Sequence, residues 1–397
     1  MKQQIGLVLS KVPGYSETFF RNKILGLQKA GYKVVLIVTN PEKNNTRVLN
    51  CDVIVAPSFK GAYWRVIIQV LLALFKITFL FPKRAWTHYQ LDKKSGQTNK
   101  QAFKRLLQNA YMLHLNLDWL HFGFGMLAVG REHVAKTIQA QMAVSFRGFD
   151  LYLSPLKHPG CYTLLFTIKS VKYHVLSNEM RTDLSSYGVS VKKIHIITPA
   201  IDVQFFKPQP LQTAPFDKQP IRIVTVARLH WKKGLEYTLE ALALLKKQGV
   251  LFHYTIIGSG EDYERLMFAA HQLQLHDNVT FAGRLNPTQV RAKLNESNIY
   301  LQYSIQEGFC NAVLEAQAMG LLCVVSDAEG LAENIIHRKT GWVVPKRQPK
   351  SLAKTINMVN NLTPEERLSV SKQAMNRVQN TFTLEQQQQQ FLKFYNK

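Results

Sequence analysis

At 397 residues the chain exceeds what one hydrophobic core organises, and its 46% hydrophobic residues are ample for two domains. Its four cysteines are far apart, with no CxxC pair and no histidine cluster at ligand spacing, which argues against a structural zinc and for a reducing compartment. The formal charge of +24 is lopsided: residues 1–200 carry 27 Lys and Arg against 9 Asp and Glu, and the remainder 23 against 17. A surface so basic concentrates polyanions such as nucleic acid, anionic lipid headgroups or phosphate-bearing substrates, unless it serves solubility alone.

The chain opens on "MKQQIGLVLSK", with too few apolar residues before Ser10 and Lys11 for the core of a secretory signal, and a first strand is expected there. Further strands are predicted in the first half at "KVVLIVT", "DVIVA", "DWLHFGF", "MAVSF", "YHVLS" and "IHIITPAI". Between the third and fourth lies "WRVIIQVLLALFKITFLF", residues 64 to 81, short of the roughly 20 unbroken apolar residues of a spanning helix. At about 100° per residue, Arg65, Gln69 and Lys76 share one narrow stripe of that helix and the rest is apolar. It reads as a helix buried in the first domain or as one partly sunk in a bilayer with Lys83 and Arg84 at the headgroups, and in neither case as one that spans.

"KPQPLQTAPFDKQP", residues 207 to 220, carries four prolines and marks a linker. Beyond it, strands are predicted at "IRIVTVARL", "HYTIIGSG", "NVTFAGRL", "IYLQYS", "CVVSDA" and "GWVVP". Near-continuous apolar strands alternating with helical stretches are the pattern of parallel sheets covered on both faces, so two doubly wound α/β domains follow. Close to the end, "EQQQQQ" is flanked by Phe382, Leu384, Phe391, Leu392, Phe394 and Tyr395, which predicts a closing amphipathic helix.

Three stretches of the second half could carry chemistry. After the strand that ends at Arg228, Lys232, Lys233 and Gly234 precede a helix whose first N–H groups and dipole, with two flanking cations, make a site for a diphosphate. "IIGSGEDYERL" supplies a second strand-to-helix turn at Gly258, compatible with a nucleotide but equally with steric need alone. In "SIQEGFCNAVLEAQAMG", Gly308 allows close approach of backbone, Asn311 is a candidate N-cap and Gly320 a C-terminal stop. Glu307 then stands at the loop mouth and Glu315 on the helix flank, four residues past Asn311. That spacing suits a ligand with hydroxyls at both ends and negative charge between, a nucleotide sugar; a dipole-favoured glutamate beside an unrelated loop glutamate would look the same.

"VARLHWKKG", "IIGSGE", "NVTFAGRL" and "SIQEGFCNAVLEAQAMGLLCVVSDAEGLAENIIHRKTGWVVP" stand in the order of the donor domain of the retaining family-four glycosyltransferases, and the second half resembles that family closely. Glu307 and Glu315 match its E-x7-E signature. "VPGYSETFFRNKILGLQKAGYKV" and "VLSNEMRTDLSSYGVSVKKIHIITPAIDVQFF" resemble its acceptor domain, the Ser-Glu-Thr-Phe form being that of members that build bacterial surface polysaccharides. The resemblance implies the GT-B fold, two Rossmann-like domains facing a central cleft. An acceptor-binding domain is expected over residues 1–205, rejoined by a C-terminal helix at about 380–397, with a donor-binding domain over 206–379.

The resemblance also implies roles. Arg228 and Lys233 would hold the donor pyrophosphate, Glu315 the ribose hydroxyls, and Glu307 the transferred sugar, helped by backbone N–H groups of Phe309, Cys310 and Asn311. Gly258 would belong to the nucleotide site, and Gly14 would face the diphosphate from the opposite domain. The donor would be UDP- or GDP-linked, no metal or other cofactor would be needed, and the acceptor would be a lipid-linked saccharide at an anionic membrane surface on the cytoplasmic side. In "AVSFRGFD" the family's histidine before Gly-x-Asp is replaced by Arg147, a permanent cation that cannot carry a proton near neutral pH but can bind phosphate or a sugar oxygen. "GLLCVVSD" lacks the proline usual after its glycine, which bears on loop shape. His121 matches a family histidine near the cleft, or is a satisfied core histidine. An epimerase acting on nucleotide sugars would share this fold. A nucleic-acid-binding role for the basic half finds no zinc knuckle, RNP-like strand or helix-turn-helix to support it.

Overall fold

The computed structural model of the chain describes residues 3–14, 18–40, 49–208 and 220–396. Tyr15, Ser16 and Glu17, and residues 209–219 of the proline-bearing segment, lie outside the described residues. Each of the thirteen segments expected to be extended is a strand. In the first half these are β1 (Gln4–Leu9), β2 (Lys33–Val38), β3 (Asp52–Val55), β4 (Trp119–Phe122), β5 (Gln141–Ser145), β6 (Val171–Val175) and β7 (Ile194–Ile196). In the second they are β8 (Ile221–Val226), β9 (Phe252–Ile257), β10 (Val279–Gly283), β11 (Ile299–Gln302), β12 (Leu322–Ser326) and β13 (Trp342–Val344).

The strands form two sheets, ordered β3-β2-β1-β4-β5-β6-β7 and β10-β9-β8-β11-β12-β13. The named pairings are all parallel, for instance β1 with β2 and β4, and β8 with β9 and β11. In both sheets the chain begins in the middle, winds to one edge and returns to wind the other way. This creates a switch point between β1 and β4 in one sheet and between β8 and β11 in the other, where connections diverge and the carboxyl ends of the strands leave room for a ligand.

The chain divides into two compact units. One comprises Met1–Val175, Arg181–Ile197 and Gln388–Lys397; the other comprises Leu176–Met180 and Thr198–Gln387. In the first, Ile5, Leu7, Leu9, Leu36 and Trp119 of the sheet meet Ile24 and Leu27 of the helix Thr18–Lys29 in one core. The glutamine-rich run is helical, Leu384–Tyr395, and its Phe391, Phe394 and Tyr395 complete that core, with Trp119 Nε1 donating to the Tyr395 carbonyl at 3.1 Å. Each such aromatic removes enough apolar surface from water to contribute about 2 to 3 kcal/mol. In the second unit, Leu239, Leu242 and Leu245 of the helix Leu235–Lys247 pack with Tyr254, Ile256, Leu301, Val324 and Ile356.

The apolar segment 64–81 does not find the core position that one reading of its sequence expected. It forms a helix, Tyr63–Phe75, prolonged by a π-turn over Lys76–Leu80, whose buried residues are Ala73 and Ile77. These two, with the partly buried Leu74, pack with Ala85, Leu106, Ala110 and Leu113 in a small separate cluster, while Trp64, Ile67, Ile68, Leu71, Leu72, Phe75, Phe79 and Leu80 are exposed. By length and composition alone the 18 residues Tyr63–Leu80 fall at the short end of the range for helices that cross a bilayer.

Candidate functional site

The strand ends at the β8/β11 switch point bring together most of the residues singled out in the second half. Past β8 the chain runs through Arg228 to a 3-10 turn, Trp231–Lys233, and then Gly234, whose φ of 59° is left-handed. A Cβ at Gly234 would stand 2.1 Å from the Tyr303 carbonyl oxygen, so glycine alone lets this turn lie against the end of β11. Two backbone N–H groups from the β11 loop, those of Ile305 and Gln306, in turn donate to the Lys232 carbonyl at 2.6 and 3.2 Å. The two loops are therefore one hydrogen-bonded structure, and Lys233 Nζ donates to a carboxylate oxygen of Glu307.

That ion pair is largely withdrawn from solvent, its side chains 19% and 16% exposed. Desolvation pulls the Lys233 ammonium down, but the Glu307 carboxylate outweighs it and leaves the pKa above the ordinary lysine value. Lys233 is thus a fixed cation whose charge is neutralised by Glu307. Arg228 is exposed and near enough to oppose the Lys233 charge.

The second glycine turn abuts the first. Gly258, φ 143°, would place a Cβ 1.9 Å from the Ala227 carbonyl oxygen, and Gly260 one 2.0 Å from that of Leu229. Leu229 N–H donates to Ser259 O at 3.1 Å. The structure thus supplies a steric reason for Gly258, the close approach of two strand-to-helix loops.

The loop after β11 is held from below by residues that sequence reasoning missed. The Glu307 N–H donates to Glu329 Oε2 at 2.9 Å, and Glu329 is itself paired with Lys346 at 3.2 Å. Cys310 N–H donates to Asn334 Oδ1 at 3.1 Å while Asn334 Nδ2 donates back to Cys310 O at 2.9 Å. Asn334 is fully buried, and a Cβ at Gly330 would lie 1.9 Å from the Gly308 carbonyl oxygen. The 3-10 segment Glu329–Asn334 is therefore a clamp that sets the backbone of residues 307–310. The segment lies inside the family-like stretch, but its role there is not readable from spacing, because it stands some twenty residues downstream of the loop and acts through hydrogen bonds.

The clamp moves the helix start by one residue from expectation. Cys310 is extended, φ −122° and ψ 111°, and occupies the N-cap; Asn311 is the first residue of the helix Asn311–Ala318. Gly320, φ 82°, ends it as expected. Phe309 and Cys310 are buried, and burial pushes the Cys310 thiol up to about 12, so it is an inert neighbour of the ion pair. Glu315 lies one turn into the helix, partly exposed, and desolvation pushes its carboxyl up to about 7.

The remaining residues belong to the other unit. Gly14 follows β1, and among the described residues no atom lies within 4 Å of where its Cβ would stand. Arg147 follows β5 with its guanidinium 4.0 Å from the Phe19 ring centroid and 4.8 Å from that of Phe20. Asp150 accepts from the N–H groups of Met126 and Arg147 at 3.2 and 3.3 Å, and burial pushes it up to about 6. His121 is a core histidine: it is fully buried, bonded through Nε2 to Ser145 Oγ at 2.8 Å and through Nδ1 to the Tyr395 hydroxyl and, at 3.2 Å, Lys23 Nζ. Ser145 continues the chain to His174 at 2.8 Å. Burial holds both histidines and Lys23 well below their ordinary pKa values. Among the described residues no cluster of three or more His, Cys, Asp or Glu has the geometry of a metal site.

Comparison with known proteins places this geometry in context. The family described as "Glycosyl transferases group 1" matches residues 208–377. The chain is 31% identical over 362 residues to the amylovoran biosynthesis glycosyltransferase AmsK of Erwinia amylovora, covering 86% of each. It is 27% identical over 398 residues to WcaL of Escherichia coli (strain K12), a glycosyltransferase provisionally assigned to colanic acid biosynthesis, covering 96% of each. Anabaena HepE, solved in complex with UDP, superposes with a TM-score of 0.73 over 99% of both chains at 16% identity, a likeness of fold.

Proposed function

The chain belongs to the group 1 glycosyltransferases, built on two doubly wound sheets of GT-B type, and from that premise we propose that it transfers a sugar from a UDP- or GDP-linked donor, with retention, to a lipid-linked saccharide in the assembly of a cell-surface polysaccharide. The polysaccharide assignment follows AmsK and WcaL, whose names place them in amylovoran and colanic acid biosynthesis. One observation carries the reading of the site: Lys233 and Glu307, 74 residues apart in sequence, meet as an enclosed ion pair at the switch point of the second sheet.

In this reading the diphosphate takes its place beside Arg228, Lys233 and the start of the helix Leu235–Lys247, where two cations and a helix dipole favour negative charge. Arrival of the diphosphate draws Lys233 away from Glu307, and the freed carboxylate accepts from hydroxyls of the sugar. Glu315 accepts from the ribose hydroxyls. As the bond from the anomeric carbon to the phosphate oxygen breaks, the acceptor hydroxyl oxygen bonds that carbon from the same face and its proton passes to the departing phosphate. The charge that grows on the diphosphate is met by groups already in place, which is where rate enhancement arises. Arg228 and Lys233 do here what a divalent cation does elsewhere.

Thermal shift against UDP, GDP and ADP tests the donor assignment, since a ligand of the native state raises Tm with its occupancy. A rise with UDP or GDP that Lys233→Ala removes supports it, and no rise with any of the three contradicts it. Undiminished turnover in chelator would support the cation assignment, and NMR of the first-formed product reads retention directly.

A further inference from the structure

Between Asp52 and Asp118 the chain carries ten basic residues and one acidic residue, Asp92. Asp92 is buried beside Arg105, 3.7 Å away, so it presents no negative charge to solvent. Lys60, Arg65, Lys83, Lys94, Lys100 and Lys104 are all exposed. The same stretch of surface carries the outward side of the helix Tyr63–Leu80, where Trp64 is 57%, Leu71 59%, Phe75 51% and Phe79 75% exposed, continued on the next helix by Trp86 at 64%. Large aromatic and aliphatic side chains exposed in such number along one segment are not left in water by a monomeric domain without a partner for them.

We infer that this face of the first unit is a monotopic docking surface for an anionic bilayer, with the helix Tyr63–Leu80 lying in the plane of the headgroup boundary. Composition identifies the occupant. Exposed tryptophan, tyrosine and aliphatic residues, interspersed along the chain with lysine and arginine and with no exposed carboxylate between Asp52 and Asp118, match the layered chemistry of a bilayer surface: hydrocarbon, then headgroups, then anionic charge. A protein partner would be expected to meet these cations with its own carboxylates, and nothing in this stretch of the chain could return them in a second copy.

Packing sets the helix in plane rather than across. One flank of it is already taken: Ala73 and Ile77 sit on Ala85, Leu106, Ala110 and Leu113, and after Phe81 the chain turns directly into the helix Pro82–Lys94. A spanning helix would have to leave that cluster and carry Arg65 and Lys76 into hydrocarbon, and 18 residues reach only about 27 Å against a core of about 30 Å. The docking surface stands independently of the nature of the acceptor, so the two proposals fail separately.

The test is co-sedimentation of the full chain with sucrose-loaded vesicles of phosphatidylcholine alone or with 30% phosphatidylglycerol. Retention on the anionic vesicles at low salt, weakened about fivefold by Lys83→Gln and again by Lys104→Gln, is expected. Leu71→Glu with Phe79→Glu removes it, and because both side chains are exposed the variant should melt with the wild type. In the wild type, brominated acyl chains quench Trp64 and Trp86, a signal that Trp64→Phe with Trp86→Phe deletes. The inference is overturned if the wild type stays in the supernatant with anionic vesicles, or if the glutamate variant binds as well as the wild type. It is equally overturned if sedimentation velocity without lipid shows a dimer that the glutamate variant dissociates while vesicle binding persists.

Discussion

Glu315 offers a measurement in which the sign and size of the effect both come from the structure. Its carboxyl, ordinarily near 4.5, is raised to about 7 by desolvation alone. The folded chain therefore binds this proton more tightly than the unfolded chain, and stability falls as pH rises from about 4.5 to about 7, reaching its full penalty above that. A shift of this size corresponds to at most about 3 kcal/mol, and partial exposure reduces the expected penalty to roughly 2 kcal/mol. Glu315→Gln keeps the shape and cannot ionise. At pH 8 it should melt higher than the wild type by about 4 to 8 °C, at 1 kcal/mol per 2 to 4 °C for a unit of this size, and at pH 4.5 the difference should vanish. Differential scanning calorimetry between pH 4.5 and 8 reads this directly. The same variant should bind the UDP or GDP found by thermal shift more weakly, because an amide accepts less well from ribose hydroxyls than a carboxylate. Equal melting temperatures at pH 8 would refute the desolvated carboxyl, and unchanged nucleotide affinity would remove Glu315 from the site.

Other consequences are as definite. Glu307→Ala and Lys233→Ala should each lower kcat about 100-fold or more while leaving the circular dichroism spectrum intact, and full activity in either removes that residue from the mechanism. Lys233→Ala should also lose about 1 to 3 kcal/mol in denaturant unfolding, because a partly buried carboxylate is left behind. Gly258→Ala, which forces a Cβ into the Ala227 carbonyl at a φ of 143°, should cost on the order of 3 kcal/mol, seen as a lower denaturation midpoint. Asn334→Ala strips two hydrogen bonds from Cys310 and should lower kcat more than it raises KM if the clamp positions the loop; a pure stability loss of about 2 kcal/mol with normal kinetics would make its role structural.

Much of the architecture was legible because it is written in local patterns. The thirteen apolar runs became the thirteen strands, since a strand covered on both faces must be apolar at nearly every position. The glutamine run became a helix because the aromatic residues flanking it had a core to enter. His121 and the segment 64–81 show where this stops. A buried histidine and a functional one look alike in sequence, and only the partners around His121, with Lys23, Ser145 and Tyr395 drawn from three distant segments, make it a core residue. Periodicity likewise tells that one side of the helix Tyr63–Leu80 differs from the other, not whether anything covers the larger side.

By itself the sequence determined the fold class, the doubly wound order of elements and the residue types of the candidate site, since backbone preference and hydrophobic period act over short spans. Tertiary structure alone decided that Lys233 is neutralised by Glu307, that the 3-10 segment Glu329–Asn334 sets the backbone of residues 307–310, and that an apolar helix stands open to solvent. Those facts depend on which atoms meet across dozens of residues of chain, and a contact of that kind is fixed by how the layers pack.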